Sequence, residues 1–100
     1  MAKAAAAAAL MGAEVQRIDK YLWFARLAKN RSVAQDMAET GHIRVNGRRI
    51  ERAHASVRRG DLITFPHGRH VRVVRVLELA KRRGPASEAA QLYEEITAGQ

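Results

Sequence analysis

Residues 17–50 read RIDKYLWFARLAKNRSVAQDMAETGHIRVNGRRI. Apolar residues recur at helical spacing in the first third of this segment, a short polar run interrupts them, and a second helical pattern follows. The segment closes with two short stretches around Asn46-Gly47, a dipeptide that accepts the positive φ angles of a type I′ turn. This order predicts two short helices joined by a tight corner and followed by a β-hairpin.

The first helix is predicted from about Arg17 to Ala28. Its buried stripe is formed by the apolar residues on one side of a helical wheel, which are Ile18, Tyr21, Leu22, Ala25 and Ala28. The opposite side carries Asp19, Lys20, Trp23 and Arg26. We therefore expect a solvent-exposed face that is charged and that includes an indole.

The second helix is predicted from Ser32 to about Thr40. Ser32 and Gln35 fit a capping box, in which the hydroxyl accepts from the Gln35 amide and the Gln35 side chain reaches back. The residues expected to face inward are Val33, Ala34, Met37 and Ala38, and those expected to face outward are Gln35, Asp36 and Glu39. Gly41 supplies the left-handed position that ends the helix.

Strands are predicted for most of the remainder. A turn at residues 58–61 leads into a strand at 62–65, a loop at 66–69 and a valine-rich strand at 70–79. The alternation of that last strand changes phase at Val73-Val74, which is compatible with a bulge or an edge strand. From Ala86 onward, Ala89, Leu92, Tyr93 and Ile96 recur at helical spacing and predict a C-terminal amphipathic helix.

The fold class expected from these elements is α+β. Two helices with a helix-turn-helix-like corner are predicted to pack on one face of a small antiparallel sheet, with the C-terminal helix added. Residues 1–15 are an alanine-rich, low-complexity leader that we expect to be disordered. Residues 16–80 form the predicted domain, and residues 81–100 form a basic linker and the C-terminal helix.

The charge of the chain is concentrated in its middle. The formal net charge is +8 at pH 7, and residues 17–83 hold seventeen Lys and Arg against six Asp and Glu. A surplus crowded around one corner and one hairpin favours a polyanionic partner, and nucleic acid is the obvious one. The sequence has no cysteine and no apolar run long enough to span a membrane, so we expect an intracellular, cytoplasmic protein without membrane contact.

Catalysis and metal binding are not expected. His67 and His70 have the spacing H-x-x-H, but no cysteine and no nearby carboxylate could complete a zinc site. The acidic residues are scattered among basic ones, and no glycine-rich phosphate loop is present. The sequence therefore predicts a non-enzymatic binding protein with no cofactor.

Several side chains are candidates for contact with nucleic acid. Lys29 and Arg31 flank the predicted N-terminus of the second helix, where free amides and the helix dipole favour a phosphate, and Ser32 and Gln35 could add neutral hydrogen bonds. Trp23 could stack on an unpaired base. The hairpin contributes Arg44, Arg48 and Arg49, with Asn46 in its turn.

Spaced motifs in the same region match a known family. They are RIDKYL at 17–22, RS at 31–32, Gln35, GHIRVNG at 41–47 and GDLI at 60–63. Together they resemble the S4 domain, the small RNA-binding domain named after the fourth protein of the small ribosomal subunit. The runs DKYLWFAR, KRRGPA and AQLYE are in addition similar to the family of ribosome-associated fifteen-kilodalton heat shock proteins.

This resemblance implies binding to structured ribosomal RNA. The expected partner is the large ribosomal subunit carrying a nascent chain and tRNA, in ribosome recycling or the heat stress response, with a free protein that is monomeric. The residues that it implicates in RNA contact are Arg17, Lys20, Arg26, Lys29, Arg31, Ser32, Gln35, Arg44 and Asn46. Trp23 completes the candidate set as a possible stacking partner for a base, and Arg48 and Arg49 complete it as cations of the hairpin.

Two other functions remain open at this level. A DNA-binding helix-turn-helix regulator would read base edges with the second helix, although Gln35 is the one plausible base reader there and Asp36 and Glu39 point outward. A protein-interaction adaptor would instead hold its partner with the C-terminal helix.

Overall fold

The computed structural model describes residues 14–96. Its elements are, in chain order, β1 (Gln16–Arg17), α1 (Ile18–Phe24), α2 (Arg31–Glu39), β2 (Arg44–Val45), β3 (Arg48–Arg49), β4 (Ser56–Val57), β5 (Leu62–His67), β6 (His70–Val76), α3 (Ala86–Ala89) and β7 (Tyr93–Ile96). The predicted disorder of the leader falls almost entirely on residues 1–13, which lie outside the described residues. Within residues 14–96, no helix is both long and apolar enough to cross a bilayer.

Helix α1 stops well before its predicted end at Ala28, so that boundary was wrong. Arg26 adopts a left-handed conformation with φ of 59°. The Arg26 amide donates to the Trp23 carbonyl at 3.1 Å and the Leu27 amide to the Leu22 carbonyl at 2.9 Å, which is the bonding of a Schellman motif. Because Leu22 and Leu27 both belong to the buried core, this early stop turns the chain without exposing apolar surface.

Helix α2 is capped by Asn30, and the predicted capping box at Ser32 is wrong. The Asn30 side chain accepts a hydrogen bond from the Val33 amide at 2.9 Å, while Ser32 lies exposed inside the first turn. Asn and Ser are equally good N-caps, and the earlier start keeps Ala34 and Ala38 in the core. Val33, predicted to face inward, is exposed.

The C-terminal boundary of α2 is confirmed. Thr40 is the C-cap, and Gly41 follows with φ of +77°. That left-handed position suits glycine because it has no Cβ atom.

Two antiparallel sheets carry the strands. The larger sheet has the order β3-β2-β5-β6-β7, and the smaller one pairs β1 with β4. The predicted hairpin is confirmed, since β2 pairs with β3 across a turn in which Asn46 and Gly47 have φ of 52° and 84°. The pair agrees with a type I′ turn, where both central residues need positive φ.

Strands β5 and β6 form one long hairpin. Their register is continuous from Leu62 opposite Arg75 to His67 opposite His70, so neither the predicted loop over 66–69 nor a bulge at Val73-Val74 occurs. Gly68 and Arg69 alone make the turn, with Gly68 at φ of +62°. β6 also ends at Val76, three residues before the predicted strand end.

The predicted C-terminal helix is reduced to one turn. It covers Ala86–Ala89, and the chain then extends into β7, which pairs with the free edge of β6. Arg72 explains part of this choice, because it donates two hydrogen bonds to the Glu95 carboxylate at 2.6 and 3.1 Å across the two strands. A helix would leave the β6 edge unpaired and would separate these charges.

The core lies between the helices and the sheets, and the α+β class is confirmed. Its largest fully buried side chains are Tyr21, Phe65, Ile18, Leu22, Ile43, Ile63, Val57, Val74, Val76 and Asp19. Two hydrogen bonds of high sequence separation close the domain. The Tyr21 hydroxyl donates to the Leu92 carbonyl at 2.7 Å, and the Gln16 side chain donates to the Ala80 carbonyl at 2.5 Å.

Candidate nucleic-acid interface

A buried carboxylate lies at the centre of the helical corner. Asp19, in the first turn of α1, is 0% exposed, so its predicted position on the solvent-facing side is wrong. Arg17 donates to it from two nitrogens, Nε to Oδ1 at 3.0 Å and Nη2 to Oδ2 at 2.9 Å. The Lys20 amide adds a third bond to Oδ1 at 2.8 Å. Such a bidentate pairing fixes the plane of the guanidinium group.

The ionisation of Asp19 is set by two opposing effects. Burial alone raises the pKa of a carboxyl group, because it disfavours the charged form. The hydrogen bonds from the Arg17 side chain and the Lys20 amide, together with the charges of Arg17 and Arg31, outweigh burial and hold the pKa of Asp19 below its ordinary value. Asp19 is therefore an anion at neutral pH.

Helix α2 contributes two side chains to the same carboxylate. Arg31 Nη2 lies 3.6 Å from Asp19 Oδ2, and Gln35 Nε2 lies 3.5 Å from the same oxygen. Three predicted contact residues, Arg17, Arg31 and Gln35, thus meet at one point. Among the residues that the structure describes, the buried Arg31 Nε has no hydrogen-bond partner.

The hairpin presents a second group of cations. Arg44, Arg48 and Arg49 are all exposed. Arg49 lies against the end of α2, since a Cβ atom built on Gly41 would come within 2.5 Å of Arg49 Nε. Gly41 therefore leaves the space that this arginine occupies, and the hairpin lies against the C-terminal end of α2.

Asn46 uses its side-chain amide inside the domain. Its Nδ2 donates to Asp61 Oδ1 at 2.9 Å, and its Oδ1 accepts from the Leu62 amide at 2.9 Å. Both bonds tie the hairpin turn to the start of β5. A positioning role for Asn46 follows from this geometry, and direct RNA contact through its side chain stays a prediction.

Trp23 and Arg26 contact the linker between β6 and α3. Arg26 Nε donates to the Gly84 carbonyl at 2.8 Å, and Arg83 Nη1 donates to the Trp23 carbonyl at 3.1 Å. The Arg83 guanidinium also lies over the Trp23 ring, 5.8 Å from its centroid. The indole is half-buried against the core, which gives it a packing role whether or not it also stacks on a base.

The remaining candidates are accessible. Lys29 is exposed just before α2, Ser32 is exposed in its first turn, and Lys20 is half-buried on α1. The structure thus gathers Arg17, Arg31 and Gln35 around Asp19, and it gathers Trp23 and Arg26 around the linker. Within residues 14–96, no group of three or more His, Cys, Asp or Glu could hold a metal ion.

Sequence reasoning missed Asp19 and Arg83. The signal for Asp19 is its place between two arginines of the matched motifs, two residues after Arg17 and twelve before Arg31. The signal for Arg83 is weaker, because a Lys-Arg-Arg run after a strand is also typical of a solvated linker.

Comparison with known proteins gives consistent results. The S4 domain family model matches residues 16–63. The heat shock protein 15 homolog of Aeromonas salmonicida is 44% identical over 82% of this chain and 61% of its own length, and the RQC P-site tRNA stabilizing factor of Bacillus subtilis is 38% identical over 77% of this chain and 87% of its own. The chain therefore spans about three fifths of the heat shock protein 15 relatives that it matches.

A solved structure is similar as well. The trimeric heat shock protein 15 of Vibrio cholerae superposes with a TM-score of 0.77 at 40% identity, and the match covers 85% of this chain and 84% of that one.

Proposed function

The chain belongs to the S4 domain family, and from this we propose that it is a non-enzymatic protein that binds structured ribosomal RNA. The observation that carries the proposal is the meeting of Arg17, Arg31 and Gln35 on the carboxylate of Asp19. Guanidinium groups with a fixed plane match the geometry of phosphate oxygens. A rigid corner of this kind reads the shape of an RNA backbone.

Recognition by shape suits double-stranded RNA. The deep, narrow major groove of an A-form helix hides its base edges from side chains, so phosphates and 2′-hydroxyls are what a protein reaches. The corner supplies fixed donors, and the exposed arginines of the hairpin supply further positive charge at the other end of α2. The candidate residues predicted from the sequence form this proposed contact surface.

The proposed target is the large ribosomal subunit that carries a nascent chain and tRNA, in ribosome recycling or the heat stress response, and the proposed location is the cytoplasm. The names of the relatives support this choice, since one group refers to heat shock and the other to P-site tRNA. The monomeric state expected for the free protein stays a prediction, and it differs from the trimer named for the Vibrio cholerae protein.

The test is a competition experiment with the full-length chain. Labelled protein is equilibrated with large ribosomal subunits, small subunits or duplex DNA at equal phosphate concentration and several salt concentrations. We expect preference for large subunits and an affinity that falls steeply with salt, as engagement of about 5–8 phosphates requires. Equal affinity for duplex DNA would contradict the proposal and favour the DNA-binding alternative.

A matched pair of variants maps the surface. Lys29→Gln removes an exposed cation at the start of α2, and Arg69→Gln removes one at the turn between β5 and β6. We expect Lys29→Gln to weaken RNA binding and to reduce the salt slope by about 1, whereas Arg69→Gln leaves both nearly unchanged. The reverse result would place the interface on the long hairpin.

The adaptor alternative depends on a C-terminal amphipathic helix, and the structure does not support it. The helix that would hold a protein partner is a single turn, and β7 follows it. Deleting residues 86–100 would remove β7 from the sheet. Loss of ribosome association in that variant would therefore indicate an unfolded domain, not the loss of a partner-binding helix.

A further inference from the structure

We propose that Asp19 is the positioning residue of a phosphodiester clamp whose two arms are Arg17 and Arg31. The inference deepens the proposed function and rests on it. Asp19 itself touches no RNA, because it is fully buried. Its role is to hold two guanidinium groups at a fixed spacing so that one phosphodiester group binds both.

Each arginine contacts Asp19 with some of its nitrogens and keeps other N–H donors for a phosphate. Arg17 spends Nε and one Nη2 proton on the carboxylate, which leaves three of its five N–H donors. Arg31 reaches the carboxylate through Nη2, and because its unpartnered Nε is buried, its remaining Nη protons are the donors that a phosphate would meet. The side chains of Arg17 and Arg31 are 44% and 37% exposed, so both arms are accessible from solvent.

The arms come from different parts of the fold. Arg17 belongs to β1, whose partner residue in β4 is Ser56, and Arg31 is the first residue of α2. Asp19 is a shared contact that links their guanidinium groups, with Gln35 as a neutral neighbour of the same oxygen. Holding the arms in advance reduces the side-chain entropy that is lost when RNA binds.

The charges of the cluster select the ligand. Two arginines and one ionised aspartate leave a single positive charge, and a phosphodiester carries a single negative charge. The hairpin arginines differ, because within residues 14–96 no buried carboxylate contacts them, so they attract RNA without fixing where a phosphate sits. The clamp is therefore the part of the surface with a defined binding geometry.

The direction in which RNA affinity changes when Asp19 is neutralised distinguishes the clamp from simple charge attraction. Asp19→Asn and Asp36→Asn each remove one negative charge, and Asp36 is exposed on α2, away from the clamp's hydrogen bonds. If attraction alone governed binding, both variants would bind RNA more tightly than the wild type. The clamp predicts that Asp19→Asn binds RNA at least about tenfold more weakly than the wild type, because the charge-assisted hydrogen bonds that align the two arginines are lost. The RNA affinity of Asp36→Asn should not decrease.

The measurement is filter binding of the full-length variants to large-subunit ribosomal RNA over a range of salt concentrations. A partly unfolded variant would lose active fraction but keep its salt slope, whereas a lost phosphate contact lowers the slope by about 1. A reduced slope for Asp19→Asn with a native circular dichroism spectrum supports the clamp. Binding as tight as that of Asp36→Asn overturns it.

If Asp19→Asn does not fold, lysine variants of the two arginines test the clamp instead. Arg17→Lys and Arg31→Lys keep the charge but remove the planar fork, and Arg69→Lys is the matched control at an exposed turn. We expect at least about tenfold weaker binding for the double variant Arg17→Lys with Arg31→Lys and no change for the control. Unchanged binding of the double variant overturns the clamp. Lack of preference of the wild type for ribosomal RNA would instead count against the proposed function.

Discussion

A single arginine decides where the corner begins. Arg26 ends α1 in a conformation that most L-residues avoid, at a position where glycine is usual. Its side chain bonds to the Gly84 carbonyl, so the strained residue also fastens the linker to the helix. The cost of the backbone conformation is thus offset by a contact that glycine could not make.

We expect Arg26→Gly to be more stable than Arg26→Ala by about 1 kcal/mol. Both variants lose the bond to Gly84, so the difference isolates the cost of the left-handed backbone for a residue with a Cβ atom. Urea unfolding of the two proteins measures it. Equal stability would mean that the chain relaxes away from the Schellman geometry.

Burial could be predicted for apolar residues but not for Asp19. Helical periodicity correctly assigned Ile18, Tyr21 and Leu22 to the core, because apolar side chains need no partner there. A carboxylate is buried only where cations and hydrogen-bond donors meet it. Those partners come from β1 and from α2, and a helical wheel of α1 contains neither.

At the level of elements, the hairpin is the best-specified part of the chain. Asn46-Gly47 fixes the turn, and the amide of Asn46 adds two hydrogen bonds to residues 61 and 62. The same side chain therefore sets the turn and attaches the hairpin to β5. The dipeptide Asn46-Gly47 was enough to predict the hairpin from the sequence, whereas its attachment to β5 depends on Asp61 and Leu62 and is visible only in the structure.

Asn46→Ala should destabilise the domain by about 2 kcal/mol, through positive φ and two lost hydrogen bonds. Asn46→Gly keeps the turn conformation but loses the two hydrogen bonds, so its free energy of unfolding should lie between those of Asn46→Ala and the wild type. Arg48→Ala, an exposed neighbour, serves as the control and should stay within about 0.5 kcal/mol. Thermal or urea unfolding checks the order, and an Asn46→Gly variant as unstable as Asn46→Ala would contradict it.

The segment around β7 could not be predicted because its partner decides its structure. Leu92, Tyr93 and Ile96 have helical spacing, but Tyr93–Ile96 also fits a strand whose backbone pairs with β6. A short segment takes the structure that satisfies its backbone groups, and here a free sheet edge lies within reach. The ion pair of Arg72 with Glu95 has no counterpart in a helical pattern.

At the scale of the whole molecule, the position of the positive charge could be predicted, whereas its internal anchoring could not. The sequence placed the surplus between residues 17 and 83 and assigned it to a polyanion. The structure adds that the buried carboxylate of Asp19 holds two of these cations, Arg17 and Arg31, in place. This interior charge also links stability to pH.

Acid should unfold the domain in part through Asp19. A carboxyl whose pKa is lower in the folded chain than in the unfolded chain stabilises the fold above its unfolded pKa, and this contribution disappears as the pH falls through the folded value. We expect the free energy of unfolding to decrease below about pH 4 and the gap between wild type and Asp19→Asn to narrow there. Urea unfolding at pH 7 and pH 3 tests this, and a constant gap would contradict it.

The bonds from Gln16 to Ala80, from Tyr21 to Leu92 and from Arg26 to Gly84 join positions 64, 71 and 58 residues apart. During synthesis, the first helix of the domain emerges from the exit tunnel long before these acceptors do. The corner consequently gains its final anchors only after residues 80–92 have been translated and have cleared the tunnel. A partly made copy therefore lacks these three bonds, so we expect the domain to complete its fold only after most of its chain has been translated.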